Sequence, residues 1–397
     1  MSLPPPPDPY GSPPQGGGQP GGGVPSWGGQ QQGFGGQYGQ PPQGQPGGPG
    51  GPSPWGQQPQ WTGPPGPPPG RGGRGKWILG GLAVVLAIAL AVVITVLVVR
   101  PSGGGPTPTP QNGHSDFASA GDDGPVAIIT DDPTCAAWSK VNSALYDAEQ
   151  QVKWTERDPS VPASGWTPQQ RTTFETVGNA MSHAADQSVG LAKTTQHRVM
   201  RELYEQFIGY ARAFAERVPK FTEPDNELAR VVDGIAGAFV NVCAAITYGS
   251  SAAQAPLLSP VSPPSRVAPP ENLEGPQRLL TSADPICAEW TSRLDRYFDD
   301  TTDWQSISED IPAAQWTPEQ RAIIDAVIPV MSTFADDLEK LARRSDNPAV
   351  QDFGVLAAEY ERAYAQALPT YTSADGFLAA AATYLAKTVE QGCKVAG

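Results

Sequence analysis

The residues of this chain whose spacing points most clearly to chemistry are its four cysteines, and that chemistry is disulfide formation. They are Cys135, Cys243, Cys287 and Cys393. Cys135 lies in DPTCAAW and Cys287 in the related phrase DPICAEW, so the cysteines occupy duplicated positions. An even number of cysteines in duplicated positions favours disulfide bonds over free buried thiols.

Other reactive side chains do not form a pattern that predicts catalysis. The chain has only three histidines: His114, His183 and His197. It contains neither a nucleophile elbow, a phosphate-binding loop, a zinc-binding HExxH nor a dinucleotide-binding glycine motif. An acidic run, Asp299 to Asp310, lacks the alternating spacing and central glycine of a calcium loop. We therefore expect a non-enzymatic protein with no cofactor and no metal site.

Aromatic residues give the strongest candidate for a binding surface. Six of them fall in two loops that recur in both halves of the chain: Trp154, Trp166, Phe221, Trp304, Trp316 and Tyr371. Two interpretations stay open at this point. The rings either form a hydrophobic plug under a long loop or present an exposed surface, because Trp and Tyr are common anchors at interfaces.

Composition divides the chain into a low-complexity part and a globular part. Among residues 1–75, 46 are Gly or Pro, which predicts a disordered tail over 1–76. Residues 77–99 carry no charge and are long enough to cross a membrane, which predicts a single transmembrane helix. A cleaved signal peptide is excluded by the length of the apolar run and by the tail that precedes it.

Charges and cysteines orient the chain in the membrane. Three basic residues, Arg71, Arg74 and Lys76, precede the span and only Arg100 follows it closely, which predicts a cytoplasmic N-terminus. The net charge of the chain is −14, and residues from 101 onward carry 22 basic and 39 acidic side chains, a balance of −17. So acidic an exterior argues against nucleic acid as a partner. A row of small residues, Ala83, Ala87 and Ala91, would permit homo-oligomers through the transmembrane helix.

An internal duplication sets the domain organisation outside the membrane. Residues 166–243 align with 316–393 without a gap, with about 23 of 78 positions identical. This predicts a linker over 100–130, one helical domain over 131–249, a Pro-rich linker over 250–282 that acts as a semi-rigid spacer, and a second domain over 283–397.

The repeated phrase WTPxQR begins a helix in each copy. Thr167 and Thr317 suit the N-cap, a proline follows at the first helical position, and Gln170 and Gln320 complete a capping box. Apolar residues then recur every three or four positions in three stretches per copy. A further helix is predicted to begin at the Asp-Pro pair of each DPxC phrase, with Asp132 and Asp284 at the N-cap and proline at the first helical position. The predicted fold is therefore all-α, with two tandem four-helix bundles after the transmembrane helix.

The bundle geometry predicts how the cysteines pair. In a bundle of four antiparallel helices, the start of the first helix and the end of the last helix lie at the same end. We therefore predict the bridges Cys135–Cys243 and Cys287–Cys393, each worth roughly 4–5 kcal/mol in the chain-entropy view.

The layout of the chain resembles a known group of proteins. A Pro/Gly/Gln-rich tail, the basic flank RGGRGK, one span and an Ala-rich acidic exterior resemble the proline-rich single-pass membrane proteins of mycobacteria and related actinobacteria. The resemblance covers the layout only, and it implies that the helical domains lie in the cell envelope.

These observations together predict a cell-membrane protein with extracytoplasmic C-terminal domains that bind a cell-envelope protein or act as a scaffold. The alternative is an extracytoplasmic sensor or carrier of a small molecule or lipid. An enclosed apolar cavity inside a bundle would favour this alternative.

Overall fold

The computed structural model describes residues 116–397. The predicted tail 1–76, the predicted span 77–99 with its small-residue row, and residues 100–115 of the predicted linker lie outside this range. Within 116–397 every regular element is helical and no strand is present, and two disulfide bonds close the helical repeats. The all-α fold class predicted from the sequence is confirmed.

The first repeat contains four long helices and one short one. They are α1 (Cys135–Gln151), α2 (Pro168–Thr194), α3 (Arg198–Arg217), α4 (Asn226–Thr247) and α5 (Ser250–Gln254). Helix α2 begins as the capping pattern predicts, because the hydroxyl of Thr167 accepts from the N–H of Gln170 and the Gln170 side chain accepts from the N–H of Thr167.

The second repeat has the same order of long helices. They are α6 (Cys287–Asp300), the single turn α7 (Thr302–Gln305), α8 (Pro318–Ala342), α9 (Pro348–Ala367) and α10 (Gly376–Ala396). The predicted disulfide bonds Cys135–Cys243 and Cys287–Cys393 are both present. Each joins the first turn of the first helix to the last helix of its repeat, so both repeats are closed in the same way.

The two repeats pack against each other through their last helices, α4 and α10. Gly237 on α4 provides the closest approach, since a Cβ atom there would lie 2.4 Å from the ring of Tyr384 on α10. Gly234 lies one turn earlier, where a Cβ atom would lie 3.1 Å from the Thr388 hydroxyl. Small residues permit such close helix packing, and the repeats belong to one compact unit.

The Pro-rich connection packs along the repeats instead of holding them apart. Arg201 donates to the carbonyl of Ala268, and Arg212 donates to the carbonyl of Leu273 at 2.6 Å. Leu279 further along the connection is buried. This differs from the expected semi-rigid spacer because backbone carbonyls of the tract serve as acceptors for arginines on α3.

A single helical segment of the part described, Glu223–Thr247, is long and apolar enough to cross a membrane. About two thirds of its apolar window is buried inside the protein (67%). It includes α4, which carries Cys243 and packs against α10. The apolar composition of this segment is therefore accounted for by its place in the core of the paired repeats.

Candidate functional site

The aromatic residues of the first repeat form a packed cluster at the end of the bundle opposite the disulfide. Trp154, Trp166 and Phe221 are 3%, 8% and 1% exposed. Trp166 stacks on Phe174 with ring centroids 4.3 Å apart, and Phe174 also contacts Trp154 and Phe221. Phe174 of α2 is therefore the ring on which the loop after α1 and the loop after α3 both pack.

The second repeat builds the equivalent cluster with more polar rings. Trp304, Trp316 and Tyr371 are 6%, 7% and 3% exposed. Trp316 stacks on Tyr371, and the indole N–H of Trp304 donates to the hydroxyl of Tyr364 at 3.3 Å. Tyrosines thus stand where the first repeat has Phe214 and Phe221, and their hydroxyls are buried with the rings.

Hydrogen bonds account for the Trp, Thr, Gln and Arg side chains of the repeated phrase WTPxQR. The indole N–H of Trp166 donates to the carbonyl of Val161 at 2.9 Å, and Trp316 donates to Ile311 at the same distance. Arg171 donates to the carbonyl of Ala163, as Arg321 does to that of Ala313. The phrase therefore fixes the long loop between the first two helices of each repeat.

Burial of all six aromatic residues favours the plug over the exposed surface. Each cluster brings together three of them, Trp154, Trp166 and Phe221 in one repeat and Trp304, Trp316 and Tyr371 in the other. Exposed anchors would be needed for the interface interpretation. These six rings therefore do not form an exposed surface.

An open groove lies between helices α6 and α8 of the second repeat. Its cavity has a volume of about 310 Å³ and an apolar floor formed by Tyr297, Pro329, Val330 and Phe334. The rings of Tyr297 and Phe334 stack at 4.0 Å and stand between the two helices. Large side chains at facing positions thus keep the helices apart.

The first repeat has smaller side chains at the equivalent positions. Leu145 stands in place of Tyr297, and Ala180 and Ala184 stand in place of Val330 and Phe334. Helices α1 and α2 consequently contact each other more extensively than α6 and α8 do. The large side chains that form the floor of the groove are thus present in the second repeat only.

Charged side chains divide the groove into two ends. At one end Arg293 of α6 forms an ion pair with Asp337 of α8 at 3.0 Å. At the other end α6 terminates at Asp300, beside Pro329. Because proline has no N–H, Pro329 leaves the carbonyl of Asp325 without its helical donor. The Asp300 end thus carries an exposed carboxylate at the C-terminus of α6, one turn beyond Arg296.

A buried carboxyl group lies under the floor of the groove. The hydroxyl of Tyr297 donates to Oε1 of Glu361 on α9 at 2.8 Å. Burial raises the pKa of Glu361 to about 8, and the hydrogen bond from Tyr297 opposes this shift. At neutral pH the carboxyl is therefore mostly protonated. The first repeat has Ala211 at the matching position, so this polar contact is also specific to the second repeat.

Buried charges also lie where the repeats meet. Arg198 at the start of α3 binds Asp352 of α9 at 2.6 Å, with both side chains 1% exposed. Burial raises the pKa of the neighbouring Glu202 well above its ordinary value, and it raises that of Glu205 to about 7. Arg201 contacts both glutamates. The Arg198–Asp352 pair therefore joins the repeats, whereas Arg201, Glu202 and Glu205 pair within α3.

A second open cavity, of about 530 Å³, lies near the disulfide end of the first repeat and is lined mainly by polar groups such as Asp122 and His197. The Asp122 carboxylate there accepts from the N–H of Arg198, and His197 contacts the carbonyl of Asp131. In residues 116–397, no group of three His, Cys, Asp or Glu side chains could hold a metal ion.

The core of the second repeat is filled by small side chains. On α10, Ala381, Ala382 and Ala386 are buried.

Comparison with known proteins places the helical unit in a family. A sequence model described as "Mycobacterial ESX-1 associated protein" matches residues 117–397, which cover nearly all of the described part. The chain belongs to the mycobacterial ESX-1 associated protein family. The match begins after the Pro/Gly-rich tail and the predicted span, so membership depends on the duplicated helical unit.

A similar mycobacterial protein supports the assignment to this family. A protein of Mycolicibacterium smegmatis (strain MKD8), described as uncharacterized, is 43% identical over 345 residues, covering 85% of this chain and 91% of the relative. No solved structure matches the chain. The layout resembles that of mycobacterial proteins, and this relative is also mycobacterial. Neither comparison shows a family of proline-rich membrane proteins.

The groove was not predicted from the sequence, because the two repeats were compared only at the positions that they share. The signal that could have revealed the groove is a difference in side-chain size between the repeats. At facing positions of the first two helices, the first repeat has Val141 and Ala184 where the second has Arg293 and Phe334.

Proposed function

We propose that this chain is a non-enzymatic, membrane-anchored protein whose duplicated helical unit binds a component of the ESX-1 secretion system. The observation that carries the proposal is the family match over residues 117–397, because it spans the helical unit and nothing before it. The proposal therefore assigns the association with ESX-1 to the helical unit.

The disulfide bonds support a place outside the cytoplasm. Bridges persist in oxidising compartments and are rare in the cytosol, and the chain has two of them and no free cysteine among the described residues. The predicted span over 77–99 and its basic N-terminal flank favour the same location for these residues. The proposed location is the extracytoplasmic face of the cell membrane.

The polar residues shared by both repeats form contacts that hold the helices of each repeat together. Besides the WTPxQR contacts, Arg212 pairs with Asp186 at 2.8 Å, and Arg362 pairs with Asp336 at the same distance. Each pair joins the second and third helices of its repeat. Residues shared by both repeats thus stabilise the helical packing. Residues that differ between the repeats are the better candidates for binding a partner.

The proposal is tested by restoring a deletion strain. In a mycobacterium that carries this chain, deletion is expected to reduce ESX-1-dependent export into the culture medium. The full chain should restore export, whereas a chain ending at residue 115 should not. Because that truncated chain keeps the predicted tail and span, full restoration by it would contradict a function for the helical unit.

A further inference from the structure

We propose that the groove between α6 and α8 binds a basic, amphipathic helical segment of the partner protein. One or two large apolar side chains of that segment enter the cavity, and a lysine or arginine lies against Asp300. The inference rests on the proposed function, since it names the surface and the kind of partner, and it can fail while the proposed function stands.

The dimensions of the groove fit a short stretch of helix. From Arg293 to Asp300 the α6 wall covers seven residue steps, or about 10 Å at 1.5 Å per residue. This is about two turns, which leaves room for side chains at i and i+4 of an incoming helix, because they lie on one face only about 6 Å apart. A cavity of about 310 Å³ accepts such side chains, and laying an apolar helix face into a groove is a recurrent mode of peptide recognition.

The apolar floor supplies the attraction for these side chains. Phe334 is 7% exposed and Tyr297 is 5% exposed, so their ring edges form a firm base. Val330 is half-buried and Pro329 is exposed beside them. Covering this floor removes apolar surface from water, which is favourable at about 25 cal/mol per Å² before the costs of association.

The two ends of the groove select the charge and the direction of the occupant. Arg293 is already paired with Asp337, so that end offers little net charge. The Asp300 end combines an exposed carboxylate with the negative end of the α6 dipole. Arg296 lines the cavity between the ends, which places the cation of the occupant at Asp300 and not along the middle.

The overall charge of the exterior acts in the same direction. Residues from 101 onward carry 22 basic and 39 acidic side chains. A field of this sign raises the association rate of a basic partner, whereas it slows an acidic one.

The test is a binding measurement on the full chain in detergent. The probe is a fluorescein-labelled helical peptide with leucines at i and i+4 and lysines on the adjoining turn. Its matched control has glutamates in place of the lysines. Fluorescence anisotropy should report binding of the lysine peptide, weakened by added salt, and binding of the glutamate peptide that is about tenfold weaker or more.

Two substitutions on exposed positions test the groove directly. Thr333→Trp places a large ring over the cavity, and Asp300→Lys reverses the charge at its end. Each should weaken binding of the lysine peptide by about tenfold. The matched positions in the first repeat are His183 and Ala148, and His183→Trp and Ala148→Lys should leave the affinity within about twofold.

Three outcomes would overturn the inference. Equal binding of the two peptides would mean that charge does not select the occupant. Equal losses in the variants of both repeats would mean that the acidic surface binds the peptide without a defined site. Full ESX-1-dependent export and partner capture by Thr333→Trp would remove the groove from the function while leaving the proposed function intact.

Discussion

Replacing Trp166 by alanine tests the conclusion that the shared aromatic cluster is a structural plug. The side chain is 8% exposed, stacks on Phe174 at 4.3 Å and donates to the carbonyl of Val161 at 2.9 Å. A buried tryptophan covers about 200 Å², which corresponds to roughly 5 kcal/mol at 25 cal/mol per Å². Measured truncations of Phe or Trp in cores cost about 3–5 kcal/mol. We expect Trp166→Ala to lower the free energy of unfolding by about that amount.

The assay is urea unfolding of the full chain in detergent, followed by far-ultraviolet circular dichroism so that the signal does not depend on tryptophan. Trp166→Phe keeps a ring in the cluster but loses the hydrogen bond to Val161, so it should cost only about 1–2 kcal/mol. Trp316→Ala should behave like Trp166→Ala, because Trp316 makes the same hydrogen bond in the second repeat.

The result that would refute this reasoning is a Trp166→Ala variant with an unchanged unfolding midpoint and a weaker hold on its partner. That combination would mean that the ring contributes to recognition and not to stability. Loss of stability with partner capture intact below the unfolding transition would agree with the plug.

Three further predictions concern the disulfide bond of the first repeat, the buried Glu361 and the contact between the repeats at Gly237. Replacing Cys135 and Cys243 together by serine opens a link of sequence separation 108 and should cost about 4–5 kcal/mol, measured by thermal unfolding; an unchanged transition would contradict it. Because the pKa of Glu361 is raised to about 8, stability should fall as pH rises from the unfolded pKa toward 8, and Glu361→Gln should flatten this dependence; an identical pH profile would refute the burial argument. Gly237→Ala places a Cβ atom 2.4 Å from Tyr384 and should cost about 1–3 kcal/mol, with Tyr384→Ala relieving the loss in a double-mutant cycle; additive losses would count against the close packing.

Much of the fold follows from local signals that tertiary structure does not override. The capping box at Thr167 and Gln170 needs only neighbouring residues, and the pairing of Cys135 with Cys243 needs only an even number of antiparallel helices. The start of the first helix, in contrast, depends on a contact with a residue distant in the sequence. Asp132 was expected at the N-cap, but its carboxylate is shared between Thr134 and the hydroxyl of Thr195, and α1 begins at Cys135.

What the sequence did not reveal depends on contacts between distant segments. Gly234 and Gly237 in a helical pattern look like weak points, and only the arrival of Tyr384 and Thr388 explains them. The Pro-rich tract has the composition of a spacer, yet arginines on α3 hold its carbonyls. Exposure of the tryptophans was likewise undecided, because periodicity does not tell whether a ring at a bundle end faces water or a loop.

Site-specific crosslinking in living cells can decide whether the helical unit meets an ESX-1 component through the α6–α8 groove. A photoreactive residue at position 333 should capture a defined ESX-1 component through a basic amphipathic segment, and one at the matched position 183 should not. Capture of the same component from position 183 alone, with none from 333, would contradict the claim.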